Sequence, residues 1–86
     1  MDTYNGWTNY ETWAVNLWLM NQEGSYFFWT AAAKGRTVAE LADMLQESHT
    51  DNAPEWCGVY SDLLGRALNR VNWLEIAEAV KESAGA

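Results

Sequence analysis

Thr8-Asn9-Tyr10-Glu11, running straight into Thr12-Trp13-Ala14-Val15-Asn16-Leu17-Trp18-Leu19-Met20-Asn21, decides the fold class. A Thr three residues ahead of a Glu, just before an apolar run, is the capping-box pattern. The hydroxyl accepts one free backbone N–H of the first helical turn, and the carboxylate reaches back to satisfy another. The pattern recurs at Thr37-Val38-Ala39-Glu40 and, with Asn as the cap, at Asn72-Trp73-Leu74-Glu75. Three helix starts, with no strand-like alternation over four or more residues and no internal repeat, predict an all-α protein.

Worked outward from these starts, the sequence predicts four to five short helices. The first spans about Asn9 to Asn21, and its apolar residues cover most of the circumference. Only a narrow strip near Thr12 and Asn16 is left polar, which places Asn16 toward solvent. A helix apolar nearly all round is a central one, so a compact bundle around this Trp-rich helix is expected. Ser25 is the expected cap of a second helix, Tyr26 to about Ala33, closed by Lys34-Gly35. The third, about Val38 to Ser48, has Val38, Leu41, Ala42 and Leu45 at i, i+3, i+4 and i+7. Thr50-Asp51-Asn52-Ala53-Pro54 reads as a turn, with Pro54 suited to a first helical position. A fourth helix follows from Val59 to Arg70, with Gly65 expected to mark a close helix crossing. The last runs from Trp73 to about Glu82, and residues 83–86 should fray. The expected core is Trp13, Leu17, Met20, Leu41, Leu45, Leu63, Leu64, Leu68, Trp73, Ile76 and Val80, within one domain over 1–86.

Composition narrows the function classes. Five basic against twelve acidic residues give a net charge of −7 over 86 residues. A protein that binds nucleic acid directly needs clustered Lys and Arg, so that class is disfavoured. One cysteine (Cys57) and one histidine (His49) exclude an intramolecular disulfide and a Cys/His zinc site. No apolar run approaches the ~20 residues needed to cross a bilayer, so no membrane association is expected. No basic segment opens the chain as a signal peptide would, and a free cysteine suits the cytoplasm. No Gly-rich phosphate loop or calcium loop is present, and no cofactor or metal is expected.

Asn5-Gly6-Trp7-Thr8-Asn9-Tyr10-Glu11-Thr12-Trp13, continued by Val15-Asn16-Leu17-Trp18, resembles a small-protein family of phages, plasmids and archaeal or bacterial mobile elements. Its members share an N-terminal "NGWTNYETWxVxLW" motif. The likeness extends through Leu41-Ala42-Asp43-Met44-Leu45, Pro54-Glu55, Gly58-Val59-Tyr60-Ser61-Asp62-Leu63-Leu64 and Val71-Asn72-Trp73-Leu74-Glu75-Ile76-Ala77. The resemblance implies a domain of unknown function, often encoded near anti-restriction genes. It supplies a habitat but no catalytic residues.

The candidate functional residues therefore come from surplus aromatics and surplus acids. Six tryptophans exceed what a core this small can enclose. Trp7 and Tyr10 are candidate partner anchors, because Trp and Tyr dominate interface hot spots. Trp7 is also suited to staple the first helix. Tyr26-Phe27-Phe28-Trp29 points in every direction around a helix, so at least one ring should be exposed. Trp29 is taken as that anchor, with Phe27 the alternative. Glu40, Asp43 and Glu47 on the third helix, with Glu78 on the last, form the candidate charged contacts. They read either as a solvated surface or as a phosphate-mimicking face. His49 is expected to cap the end of the third helix, and Cys57 to fill the core as a small apolar residue. The two together lack an orienting third group, so no catalytic residues are assigned. The leading expectation is a non-catalytic mobile-element protein that inhibits a host defence nuclease complex, of anti-CRISPR or anti-restriction type, by occlusion in the host cytoplasm. The alternative is a structural or accessory phage protein that self-associates through exposed aromatics or joins a replication or packaging complex.

Overall fold

A computed structural model of the protein describes residues 3–53 and 57–85. Among these residues the expected all-α class holds. Five helices follow one another: α1 (Tyr10–Asn21), α2 (Glu23–Ala33), α3 (Val38–Asp51), α4 (Val59–Arg70) and α5 (Trp73–Gly85). Ahead of α1, Tyr4 and Trp7 exchange two backbone hydrogen bonds of 2.8 Å across Asn5-Gly6. Both turn residues have positive φ, 48° at Asn5 and 88° at Gly6. That is the mirror-image turn which Asn-Gly favours, since neither residue is strongly penalised there.

Packing is deepest between α3 and α5. Leu41, Ala42 and Leu45 of α3 lie buried against Trp73, Ile76, Ala77 and Val80 of α5. The two helices run antiparallel. Lys81, late in α5, reaches the Arg36 carbonyl just ahead of α3, while Trp73, at the start of α5, packs on His49 near the end of α3. Each fully buried Leu, Ile or Val contributes about 1.5–3 kcal/mol through the apolar area removed from water. Trp29 and Ala33 of α2, one turn apart, and Leu19 of α1 complete the core with Val71.

The α3 and α5 starts and their inward faces match the sequence pattern. At Thr37–Glu40 both halves of the capping box form. Elsewhere the structure corrects it. α2 begins at Glu23 with Gln22 as its cap position, two residues ahead of Ser25, because α1 and α2 are joined through Gln22 alone. α3 extends to Asp51 and α5 to Gly85. The expected first helical residue Pro54 lies outside the described residues. Although α1 touches α2, α4 and α5, its polar strip points inward. Thr12 is fully buried and Asn16 half-buried, while Leu17 and Trp18 face out.

α4 departs furthest from expectation. It buries no residue, and Leu63, expected in the core, is 60% exposed. Leu64 and Leu68 are half-buried, like Trp13 and Met20. The reason is geometric, since α1 is the neighbour of α4 and only the flank carrying Leu64, Ala67 and Leu68 meets it. Gly65 marks no close crossing, as a Cβ built there meets nothing within 4 Å. Cys57 is exposed rather than a core filler.

Candidate partner-binding surface

The N-terminal motif is consumed by architecture. Asn9, not Thr8, caps α1, with Oδ1 accepting from the Thr12 backbone N–H at 2.9 Å. Asn72 caps α5 in the same way, accepting from the Glu75 N–H at 3.2 Å. The two caps are cross-braced. Asn9 Nδ2 donates to the Arg70 carbonyl at 2.7 Å, and Asn72 Nδ2 donates to Thr8 Oγ1 at 3.1 Å. The buried Thr12 hydroxyl donates to Asn9 Oδ1 at 2.7 Å and accepts the Asn72 N–H at 2.8 Å. Glu75 accepts the Thr8 N–H at 3.0 Å instead of closing a box with its own cap. Glu11, the other expected box residue, pairs with Arg70 at 3.3 Å. Each helix thus supplies part of the other's cap, which ties the chain's beginning to the α4–α5 junction.

The candidate anchors separate on this frame. Trp7 is half-buried and packs on the core. Tyr10 is exposed and joins Tyr4 and Trp13 in an aromatic trio with ring centroids 4.9–5.6 Å apart. Trp29 is no surface anchor. It is 5% exposed and stacks on His49 at 5.8 Å, because it shares the inward face of α2 with Ala33. The rings of that run which reach solvent are Phe27 and Phe28. Trp18, one of the four aromatics of the N-terminal segment for which partial exposure is the alternative to burial, is 65% exposed, while Trp13 is half-buried.

The acids also separate. Glu40 is committed to the α3 cap, and the Thr37 backbone and hydroxyl donors hold its carboxyl below its ordinary value of 4.5, helped by Arg36 and Lys81. Glu47 lines a shallow depression on α3 with Met44, Ser48 and Asp51. Asp43 borders a different feature, a groove of about 420 Å³ between α3 and the start of α5. Ala39, Ala42 and Gln46 form its α3 wall, and Val71, Asn72, Trp73 and Leu74 the other. Leu74 is 52% exposed. Glu78 is exposed and stands one turn beyond Leu74 on the same flank of α5. Asp43 thus lines the groove, Glu78 stands one helical turn beyond its Leu74, and Glu40 and Glu47 are not part of its lining. Among the described residues, neither Asp43 nor Glu78 has an ion-pair partner. Lys81, the nearest cation along α5, directs its ammonium to the Ala33 and Arg36 carbonyls. Sequence reading missed Leu74, although its offset from the Trp73, Ile76, Ala77, Val80 face placed it on a flank.

His49 lies between Trp29 and Trp73, with its Nδ1–H donating to the Leu45 carbonyl at 2.7 Å in the last turns of α3. Trp73 is buried, and its indole Nε1 has no hydrogen-bond partner among the described residues. Among those residues no three of His, Cys, Asp and Glu are grouped as metal ligands, and no helix is long and apolar enough to cross a membrane.

Among the described residues the protein is all-helical, with a groove between α3 and α5 lined by one carboxylate, Asp43. The chain belongs to a family of unknown function, DUF7249, whose model matches residues 1–83. No curated protein and no solved structure matches it.

Proposed function

We propose that the protein is a non-catalytic binding protein that docks its α3–α5 face on a basic surface of another protein. The observation that carries this reading is the uncompensated pair of acids, Asp43 and Glu78, beside a groove with an exposed Leu74, on a chain of net charge −7. Such a surface attracts a cationic site at steered rates, and the apolar wall supplies the contact that outlasts salt screening. The proposed target is a host defence nuclease complex, whose nucleic-acid site is basic by necessity, occluded in the cytoplasm of the host cell. The test is inhibition by the wild type and by the Asp43→Lys/Glu78→Lys variant, using purified restriction and CRISPR nucleases at low and high salt. Inhibition that fades with salt and with charge reversal supports the reading. Equal inhibition by the variant, or none by either protein, refutes it.

A second reading, self-association, is favoured by the exposure of Trp18, Phe27 and Phe28. It predicts a salt-insensitive oligomer in light scattering that dissociates on Trp18→Ala or Phe27→Ala.

A further inference from the structure

The groove between α3 and α5 has a chemical shape beyond its charge. One side is hydrocarbon, from Ala39, Ala42, Val71 and Leu74, and its rim carries acceptors, from Asp43 and the Gln46 amide. Of the other polar lining side chains, Asn72 has Oδ1 on the Glu75 N–H and one Nδ2 hydrogen on Thr8, and the buried Trp73 indole N–H has no partner among the described residues. The second carboxylate, Glu78, lies one turn along α5. An opening of this kind suits a long side chain with an apolar stem and a planar cationic head. The stem lies along methyl and methylene groups while the head reaches a carboxylate. Guanidinium meets that description better than ammonium, because its fork matches a carboxylate bidentately and it is less strongly hydrated.

We propose that this groove is a recognition pocket for an arginine side chain of a protein partner. The stem packs on Leu74 and the α3 alanines, and the guanidinium is held by Asp43 with Glu78 adding to the field. The inference rests on the acidic-face reading above and names the side chain that face recognises. Charge complementarity selects this occupant over a second copy of the chain, since two copies would bring Asp43 and Glu78 against surfaces of the same net sign.

The test is titration of the ¹⁵N-labelled protein with an acetylated Gly-Arg-Gly-Arg-Gly amide and with its lysine counterpart, followed by amide and indole N–H shifts. Saturable shifts are expected at Ala39, Asp43, Gln46 and Leu74 and at the Trp73 indole, with the lysine peptide several-fold weaker. Asp43→Asn should weaken arginine binding about tenfold, as expected for the loss of a charge-assisted bidentate contact. Leu74→Ser should weaken it in the same direction, whereas Glu47→Gln on the other flank of α3 should not. All three positions are exposed, so unchanged melting temperatures confirm that the fold is kept. Shifts of equal size around Glu47 and Glu82, or wild-type binding by both groove variants, would overturn the proposal. If Asp43→Asn and Leu74→Ser still inhibit a nuclease with salt-sensitive binding that Asp43→Lys/Glu78→Lys abolishes, the acidic-face reading survives and the pocket falls.

Discussion

Replacing Thr12 with Val isolates the cross-braced caps, because Val fills the same volume without the hydroxyl. Thr12 is fully buried, and its hydroxyl makes two hydrogen bonds of 2.7 and 2.8 Å, to Asn9 Oδ1 and from the Asn72 N–H. Losing them forfeits about 1 kcal/mol each. The acceptor is not stranded, because Asn9 Oδ1 keeps the Thr12 N–H at 2.9 Å. The Asn72 N–H does lose its partner in a part-buried position, which adds part of the 1–3 kcal/mol cost of an unsatisfied donor. The sum is about 2–4 kcal/mol. For a domain of this size that corresponds to a fall in Tm on the order of 10–25 °C. Thr12→Ser keeps the hydroxyl and loses one methyl group, at a cost of about 1 kcal/mol. Urea unfolding followed by tryptophan fluorescence and by circular dichroism should therefore rank wild type above Ser and Ser above Val. Side-chain hydrophobicity alone would instead rank Val first and Ser last. A Val variant as stable as wild type would show that the caps are not coupled through Thr12.

Gly65→Ala should stabilise the protein by about 0.5–1 kcal/mol in the same urea assay, since the glycine sits inside α4 with open space around it. Trp29→Ala should cost about 3–5 kcal/mol while Phe27→Ala costs under about 1, a contrast that thermal melts resolve, because the two rings differ in burial. Glu40→Gln should remove part of the acid sensitivity. The folded protein holds this carboxyl below its ordinary 4.5, so its contribution is present above that pH and is lost as pH falls through the lower folded value. Melts from pH 6 downward should then bring the wild-type and Gln curves together, and a constant gap between them would contradict the assignment.

How much was legible in the sequence depended on how one-sided each helix is. α3 and α5 have one apolar face each, and the Leu41-Ala42-Leu45 and Ile76-Ala77-Val80 spacings gave which faces turn inward, while their antiparallel partnership emerges only from the structure. α1 is apolar almost all round, so periodicity could not choose a wet side. It pointed the wrong way at Asn16, which is half-buried, and at Thr12, where a long-range partner rather than hydropathy decides. Asn72 lies 60 residues from Thr12, and no local pattern predicts that one cap's hydroxyl serves the other's backbone. α4 failed differently. Its pattern is strongly amphipathic, but among the described residues its main neighbour is α1, which meets the Leu64–Leu68 flank and leaves Leu63 60% exposed. The acids of α3 were recognised as a stripe. Their division between a cap, a shallow surface and a groove required the position of α5.

The most direct test of the central claim sets two double variants side by side. A tagged wild type, Asp43→Lys/Glu78→Lys and Trp18→Ala/Phe27→Ala are each presented to a purified basic nuclease complex that the wild type inhibits, at low and high salt. Binding that is lost in the charge-reversed protein, weakened by salt and kept in the aromatic variant is the expected result. Binding that survives charge reversal and salt but disappears with Trp18 and Phe27 would contradict it and move the site to the exposed aromatics of α1 and α2.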